Sequence, residues 1–239
     1  FFFKQKTAYE IPKRDWSSDV CSSDLEGSCV SCATYVALST GKYYKLGSTS
    51  YNSSTNLYSI EYLYDQAKVG VPGERCGDGS SVLTNLEIAK NQGVCFEATL
   101  PYSYIAVGCQ TSPCDTCIIT QPMRDQAATQ KIATYSLILT SDITAIKQKL
   151  YYGKAALVVT LSLDPTAFNS TCGFIWSQDD GSGVYYAAHG MAIVGYDDNK
   201  QAFLIQNSYG NTWGCNGLMW ISYSFLTYKT YYAYAIQFP

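Results

Sequence analysis

Glu26-Gly27-Ser28-Cys29-Val30-Ser31-Cys32 runs straight into Ala33, Val36, Ala37, Thr40 and Tyr44, and the reading of this chain turns on that stretch. The apolar positions after Ser31 recur at helical spacing, so a cysteine-bearing loop opens a helix at Cys32. The only histidine of the sequence, His189, lies far downstream, just before an apolar run from Met191 to Tyr196. Asn207 closes the next such run, within Gln206-Asn207-Ser208-Tyr209-Gly210-Asn211-Thr212-Trp213-Gly214. A thiol is a weak nucleophile until it loses its proton, because its ordinary pKa is near about 8.5. A helix N-terminus and a neighbouring imidazolium both favour the thiolate. An asparagine on the imidazole fixes its orientation. Cys32, His189 and Asn207 therefore form the expected catalytic set for thiol-dependent acyl transfer.

Outward from these residues, the first half reads as helix and loop. A second helix is expected over Tyr58 to Gln66. A third starts at Ser80 or Ser81, carries Val82, Leu86 and Ala89 on one face, and stops at Gly93. Pro101-Tyr102 and the Cys109 to Cys117 region read as irregular. After Met123 the pattern changes. Ser141 or Asp142 caps a short helix with Ile143, Ile146 and Leu150, ended by Gly153. Strand-type runs follow at Ala155 to Leu163, Met191 to Tyr196, Ala202 to Asn207 and Leu218 to Ser222, with Asp197-Asp198-Asn199-Lys200 as a turn. The expectation is an α+β arrangement: a helical lobe over residues 26–122, then an antiparallel β lobe over 123–239.

Residues Phe1 to Leu25 stand apart. Lys4-Gln5-Lys6-Thr7-Ala8-Tyr9-Glu10-Ile11 and Asp15-Trp16-Ser17-Ser18-Asp19-Val20-Cys21-Ser22-Ser23-Asp24-Leu25 resemble a translated sequencing adapter, so the segment is kept out of fold reasoning. What remains is long enough for one two-lobed domain. A net charge of −3 with no basic face gives no reason to expect nucleic acid as a partner. No apolar run reaches the ~18 residues of a membrane span. With Cys21 set aside and Cys32 as nucleophile, the remaining cysteines are even in number: Cys29, Cys76, Cys95, Cys109, Cys114, Cys117, Cys172 and Cys215. That count favours disulfides and an oxidising compartment. Cys172 with Cys215 is the expected pair in the β lobe. Cys114-Asp115-Thr116-Cys117 has zinc-like spacing but no second ligand pair, so bridging is the better reading and no metal or other cofactor is expected. Asn52 and Asn169 begin glycosylation-type triplets.

Gly27-Ser28-Cys29-Val30-Ser31-Cys32 resembles the G-S-C-G-S-C signature of papain-type cysteine peptidases. Asn207-Ser208-Tyr209-Gly210 with Trp213-Gly214 is similar to their N-S-W-G and W-G block. Cys76-Gly77-Asp78-Gly79, Leu100-Pro101-Tyr102 and Ala188-His189-Gly190 match further motifs in the same order. The resemblance implies a papain-like two-lobed fold with the active-site cleft between the lobes. It gives Cys32 as nucleophile, His189 as base and acid, Asn207 as orienting residue and Trp213 as a shield over the Asn207–His189 bond. It places Glu26 at an oxyanion-hole glutamine and pairs Cys29 with Cys76. It has Gly79 pair its backbone with substrate, and Ser81 with Gly190 line the main specificity pocket. It further implies peptide or protein substrates, a proenzyme whose N-terminal propeptide inhibits it, a monomer, and a lysosomal, vacuolar or extracellular location.

Several positions depart from that pattern. A carboxylate at Glu26 accepts hydrogen bonds and repels a developing oxyanion, which raises the alternative of a weak or inactive homologue that binds peptides. Ala33 and Tyr209 stand where tryptophans are usual, and Gln66 stands where a bridge cysteine is frequent. A transglutaminase-like acyltransferase shares the thioester chemistry, but its usual third member is aspartate, against Asn207 here.

Overall fold

The structure is a computed structural model and describes residues 27–70, 79–102, 119–186 and 188–239. The helix from which the rest is built is α1 (Cys29–Lys45). Gly27 turns the chain at φ 60°, and Ser28 is the non-helical residue that precedes the first turn. Ala37 and Leu38 are fully enclosed, and Val30, Cys32, Ala33, Tyr35 and Val36 are buried as well. A helix enclosed on nearly every side belongs to the core, not to a surface.

On one side of α1 lie α2 (Ile60–Gly70) and α3 (Val82–Glu87). The α3 cap is Ser81, whose hydroxyl accepts the Thr84 N–H at 3.0 Å. The helix then widens into one π turn, Ile88–Gln92, and ends at Gly93, where φ is 84°. A Cβ on Gly93 would fall 1.8 Å from the Ala127 carbonyl oxygen, so only glycine lets α4 (Gln121–Ala128) approach this end. The third helix thus starts and stops where its sequence signals put it.

On the other side of α1 stands a sheet. Its elements in chain order are β1 (Thr134–Leu139), α5 (Ile143–Gly153), β2 (Leu157–Ser162), α6 (Pro165–Phe168), β3 (Ile175–Trp176), β4 (Ala188–Asp197), β5 (Ala202–Gln206), β6 (Leu218–Ser222), α7 (Tyr223–Lys229) and β7 (Tyr232–Gln237). The strands lie in the order β1-β7-β2-β4-β5-β6-β3, all antiparallel except β3 beside β6. Asp142 caps α5 through the Ala145 N–H at 2.9 Å. The four expected runs are β2, β4, β5 and β6. The α+β class therefore holds, with helices leading and an antiparallel sheet following.

The sheet's two faces feed two cores. Val158, Ala192, Val194 and Leu204 pack towards α1, α2 and α3. Leu157, Val159, Leu161, Met191, Ile193, Phe203 and Ile205 pack with Ile146, Trp176 and Phe225 on the far side. That alternation is the period-two signature of strands buried on both faces. Between Ile193 and Gly195 the β4–β5 register slips by one residue, a bulge that bends β4 over α1.

Candidate active site

The thiol side of the site is the first turn of α1. The helix begins at Cys29, three residues before the expected start. Cys29 is half-buried and keeps its thiol, whereas Cys32, one turn further along and 5% exposed, is disulfide-bonded. The Cys29–Cys76 bridge that the resemblance implies is therefore not formed, since Cys29 lies outside any disulfide. The partner of Cys32 lies outside the described residues, as do Cys76, Glu26 and the cysteines from Cys109 to Cys117.

The turn is braced from two directions. Ser28 Oγ, instead of capping the helix, lies 3.0 Å from Tyr102 Oη and 3.8 Å from Cys32 Sγ. Ser31 Oγ donates to Asn85 Oδ1 on α3 at 2.9 Å. The Cys32 N–H is the first to find an intrahelical carbonyl, that of Ser28 at 2.9 Å, so the N–H groups before it point out of the helix end.

The base side comes from the sheet. His189 and Gly190 sit near the start of β4, and Asn207 directly follows β5. His189 Nε2 lies 2.6 Å from Asn207 Oδ1, and that oxygen also accepts the Ser208 N–H at 2.7 Å. An oxygen that takes a backbone N–H is an acceptor towards the ring too, so Nε2 carries the proton and Nδ1 is left for proton exchange. His189 is 7% exposed and Asn207 6% exposed, which keeps water from competing for the bond. Gly190 brings this pair against α1: a Cβ there would lie 2.6 Å from Val30 Cα and 2.9 Å from the Cys29 carbonyl carbon. His189 is thereby held beside the N-terminal turn that bears Cys29.

Tyr209 packs on the His189 ring at 4.8 Å between centroids. Trp213, expected as the shield, stands behind Tyr209 at 6.1 Å and donates its Nε1–H to the Phe168 carbonyl at 2.8 Å. The aromatic wall against the imidazole is therefore Tyr209. Below the site a small cavity is lined by Cys32, Ala33, Val36, Gly190, Asn207 and Ser208, next to the alanine that replaces a larger side chain.

Across the α1 turn from the sheet lie Gly79, Ser80 and Ser81, leading into α3. Gly79 has φ 80°, and among the described residues nothing stands within 4 Å of where its Cβ would be. Its carbonyl receives the Lys68 ammonium, which is 2% exposed. Of the other cysteines, Cys172 and Cys215 form the expected disulfide. Cys95 keeps its thiol, but burial pushes it up to about 12, so it is unreactive at neutral pH. Among the described residues no three His, Cys, Asp or Glu side chains gather into a metal site, and no helix is long and apolar enough to cross a membrane.

A cysteine-bearing helix end packed against a strand-borne histidine that an asparagine orients is the arrangement of the cysteine-peptidase class. Residues 11–232 match the papain family of cysteine proteases, and the chain belongs to that family. Among curated relatives, mouse (Mus musculus) cathepsin J is 25% identical over 220 residues, covering 87% of this chain and 59% of its own length. Rat (Rattus norvegicus) procathepsin L is 24% identical over 245 residues, covering 92% of this chain and 63% of its own. The chain thus spans about three-fifths of the length of these relatives. Among solved structures, the cysteine protease xylellain of Xylella fastidiosa superposes with a TM-score of 0.69 at 21% identity, over 90% of this chain and 80% of that one. The bromelain protease of Ananas comosus, in complex with the E64 inhibitor, gives 0.64 at 17% identity, over 95% and 98%. The fold is papain-like.

Proposed function

We propose that this chain is a thiol-dependent endopeptidase in which Cys32, once reduced, is the nucleophile, with His189 as base and acid and Asn207 as the residue that orients it. The observation that carries the reading is the 2.6 Å His189–Asn207 contact beside the first turn of α1, where Cys32, Gly190 and Asn207 line one cavity. The thiolate at Cys32 is favoured by the helix N-terminus. His189 Nδ1 takes its proton while Nε2–H stays on Asn207 Oδ1. The sulfur attacks a peptide carbonyl, and the developing oxyanion meets the outward N–H groups of the first helical turn. His189 returns its proton to the leaving amine, which departs and leaves a thioester. Water, deprotonated by the same nitrogen, then releases the acid and restores the thiol.

Glu26 stands six residues before Cys32, where the resemblance puts the oxyanion-hole glutamine, and its carboxylate supports the second reading, a weak or inactive homologue that binds peptides. The substrate side of the cleft is assigned to Gly79, Ser81 and Gly190, and the shield over the imidazole to Tyr209 backed by Trp213. Peptide or protein substrates, an inhibitory propeptide and a monomeric, lysosomal, vacuolar or extracellular enzyme complete the reading. The Cys172–Cys215 bridge supports such an oxidising setting.

The test is labelling with a peptidyl epoxide, followed by peptide mapping and hydrolysis of a fluorogenic peptide. On folded, reduced protein Cys32 is expected to carry the label, and Cys32→Ala to abolish hydrolysis while Cys29→Ser still accepts label. Label on other cysteines but never on Cys32, or hydrolysis by Cys32→Ala, would overturn the assignment. Label on Cys32 with no turnover would instead indicate a peptide-binding homologue.

A further inference from the structure

We infer that Asp164 is a positioning residue: from inside the β lobe it sets the aromatic surface of Phe168, Tyr186 and Tyr209, on which the leaving half of a peptide rests. The inference deepens the reading above, in which His189 returns its proton to the departing amine. That amine forms beside the imidazole, so the half of the peptide that carries it leaves on the His189 side of the cleft. The side chains met there are aromatic. Tyr209 packs on the His189 ring, Phe168 stands 5.5 Å from Tyr209, and Tyr186 stands 4.8 Å from Phe168, centroid to centroid. Phe168 and Tyr209 are half-buried and Tyr186 is exposed, so a run of rings leads from the imidazole to solvent. A large apolar or aromatic side chain just after the scissile bond gains most from such a surface.

Asp164 holds that surface from beneath. It is fully buried, and a buried carboxyl is retained at a cost unless its oxygens are matched. Both oxygens are. Oδ1 accepts the Ala167 N–H at 2.8 Å and so caps α6, the helix that carries Phe168. Oδ2 accepts the Trp176 Nε1–H at 3.2 Å, from β3, and the Asp180 N–H at 3.1 Å, from the segment that leads to Tyr186 and β4. One side chain thus joins three separate stretches of the lobe. Backbone bonds carry the hold to the rings. The Tyr186 N–H reaches the carbonyl of Leu163, the neighbour of Asp164, at 2.9 Å, and the Phe168 carbonyl takes the Trp213 Nε1–H at 2.8 Å. The Lys229 ammonium, 2.9 Å from Asp179 Oδ1, adds a second tie to the segment before Tyr186. None of these bonds reaches His189 or Cys32. The effect of Asp164 therefore belongs in the choice of leaving group and not in the reactivity of the thiol.

The test compares leaving groups on the reduced full chain. Two peptides share one acyl half and carry phenylalanine or glycine after the scissile bond. A methyl ester of the same acyl half releases methanol, which is too small to reach the rings. The parent is expected to favour the phenylalanine peptide about tenfold in kcat/KM. Asp164→Ser keeps a cap for α6 but loses the Oδ2 bonds to Trp176 and Asp180. It is expected to reduce the preference to about twofold, while kcat/KM on the ester stays within about twofold of the parent. Should Asp164→Ser fail to fold, Asp164→Asn keeps the shape and the cap but turns a donor towards Trp176 and Asp180, with the same expectation. Phe168→Ala is expected to erase the preference. A parent indifferent to the residue after the scissile bond overturns the inference, as does a preference that these variants leave intact. An equal fall on peptide and ester would mean that Asp164 merely supports the fold, which also overturns it. Absence of epoxide on Cys32 in the parent would remove the functional reading itself, and the inference with it; a labelled parent whose leaving-group choice the variants do not alter removes the inference alone.

Discussion

Gly190 and Val30 meet backbone to backbone: a methyl group on Gly190 would stand 2.6 Å from Val30 Cα and 2.7 Å from Val30 N. Neither neighbour is the end of a flexible side chain that could swing aside. Gly190→Ala must therefore push β4 away from α1 by a substantial fraction of an ångström, and His189 moves with it. The expected outcome is a stability loss of about 1–3 kcal/mol, typical of overpacking. Activity should fall on the order of 10²-fold, as expected for misplaced reacting groups. Thermal melts and kcat/KM on one fluorogenic peptide would check both, and an unchanged kcat/KM would show that the two elements can part without consequence.

Asn207 holds His189 by a charge-assisted bond whenever the ring is protonated. Such bonds are worth about 1.5–3 kcal/mol. Asn207→Ala is expected to lower kcat/KM by about 10–100-fold, with the larger effect at the pH where the imidazolium form dominates. A pH profile of kcat/KM for both proteins would decide it; parallel profiles with equal rates would exclude an orienting role.

Cys172–Cys215 closes a loop with a sequence separation of 43. The chain-entropy relation gives about 4 kcal/mol for a loop of that length. The double variant Cys172→Ala, Cys215→Ala should lose most of that stability in urea titration. Because Cys215 lies in the segment that follows Asn207, a rise in KM with little change in epoxide labelling of Cys32 is also expected.

Asp197 closes the β4–β5 turn. The Lys200 ammonium, 2.9 Å from Oδ2, and the Asn199 and Lys200 N–H groups on Oδ1 hold its carboxyl below the usual carboxylate range. A depressed folded-state pKa contributes stability that is present above the unfolded value, about 3.9, and is lost as pH falls through the lower folded value. Asp197→Asn should therefore melt below the parent at neutral pH, with the gap narrowing below about pH 4. A gap that persists unchanged to pH 2.5 would mean that charge plays no part in it.

The long-range signals in this sequence were legible because they were periodic or punctuated. Ser81, Asp142 and Gly93 mark helix ends by capping chemistry or by positive φ, and the structure uses each one so. The interiors of β2, β4 and β5 announce themselves as apolar runs because both their faces are buried. By contrast β1 and β7 carry Leu137, Leu139 and Tyr232 outward, so their polarity pattern is blurred. The helices α6 and α7 are too short for periodicity to register. His189 and Asn207 could be named as partners from position alone, and the 2.6 Å contact between them agrees. The hydrogen bonds of Asn85 to Ser31 and Ser80 were hidden, since nothing local marks a buried asparagine as a link between distant segments.

Cys32, the proposed nucleophile, is bridged here and 5% exposed, so under that reading the protein acts only after the bridge is opened. The surroundings must then be reducing enough to free Cys32, yet not so reducing that Cys172–Cys215 opens as well. Mild reductant should thus raise activity, whereas prolonged strong reductant should erode stability. The poise of the compartment then joins pH as a variable that sets how much of the protein is competent.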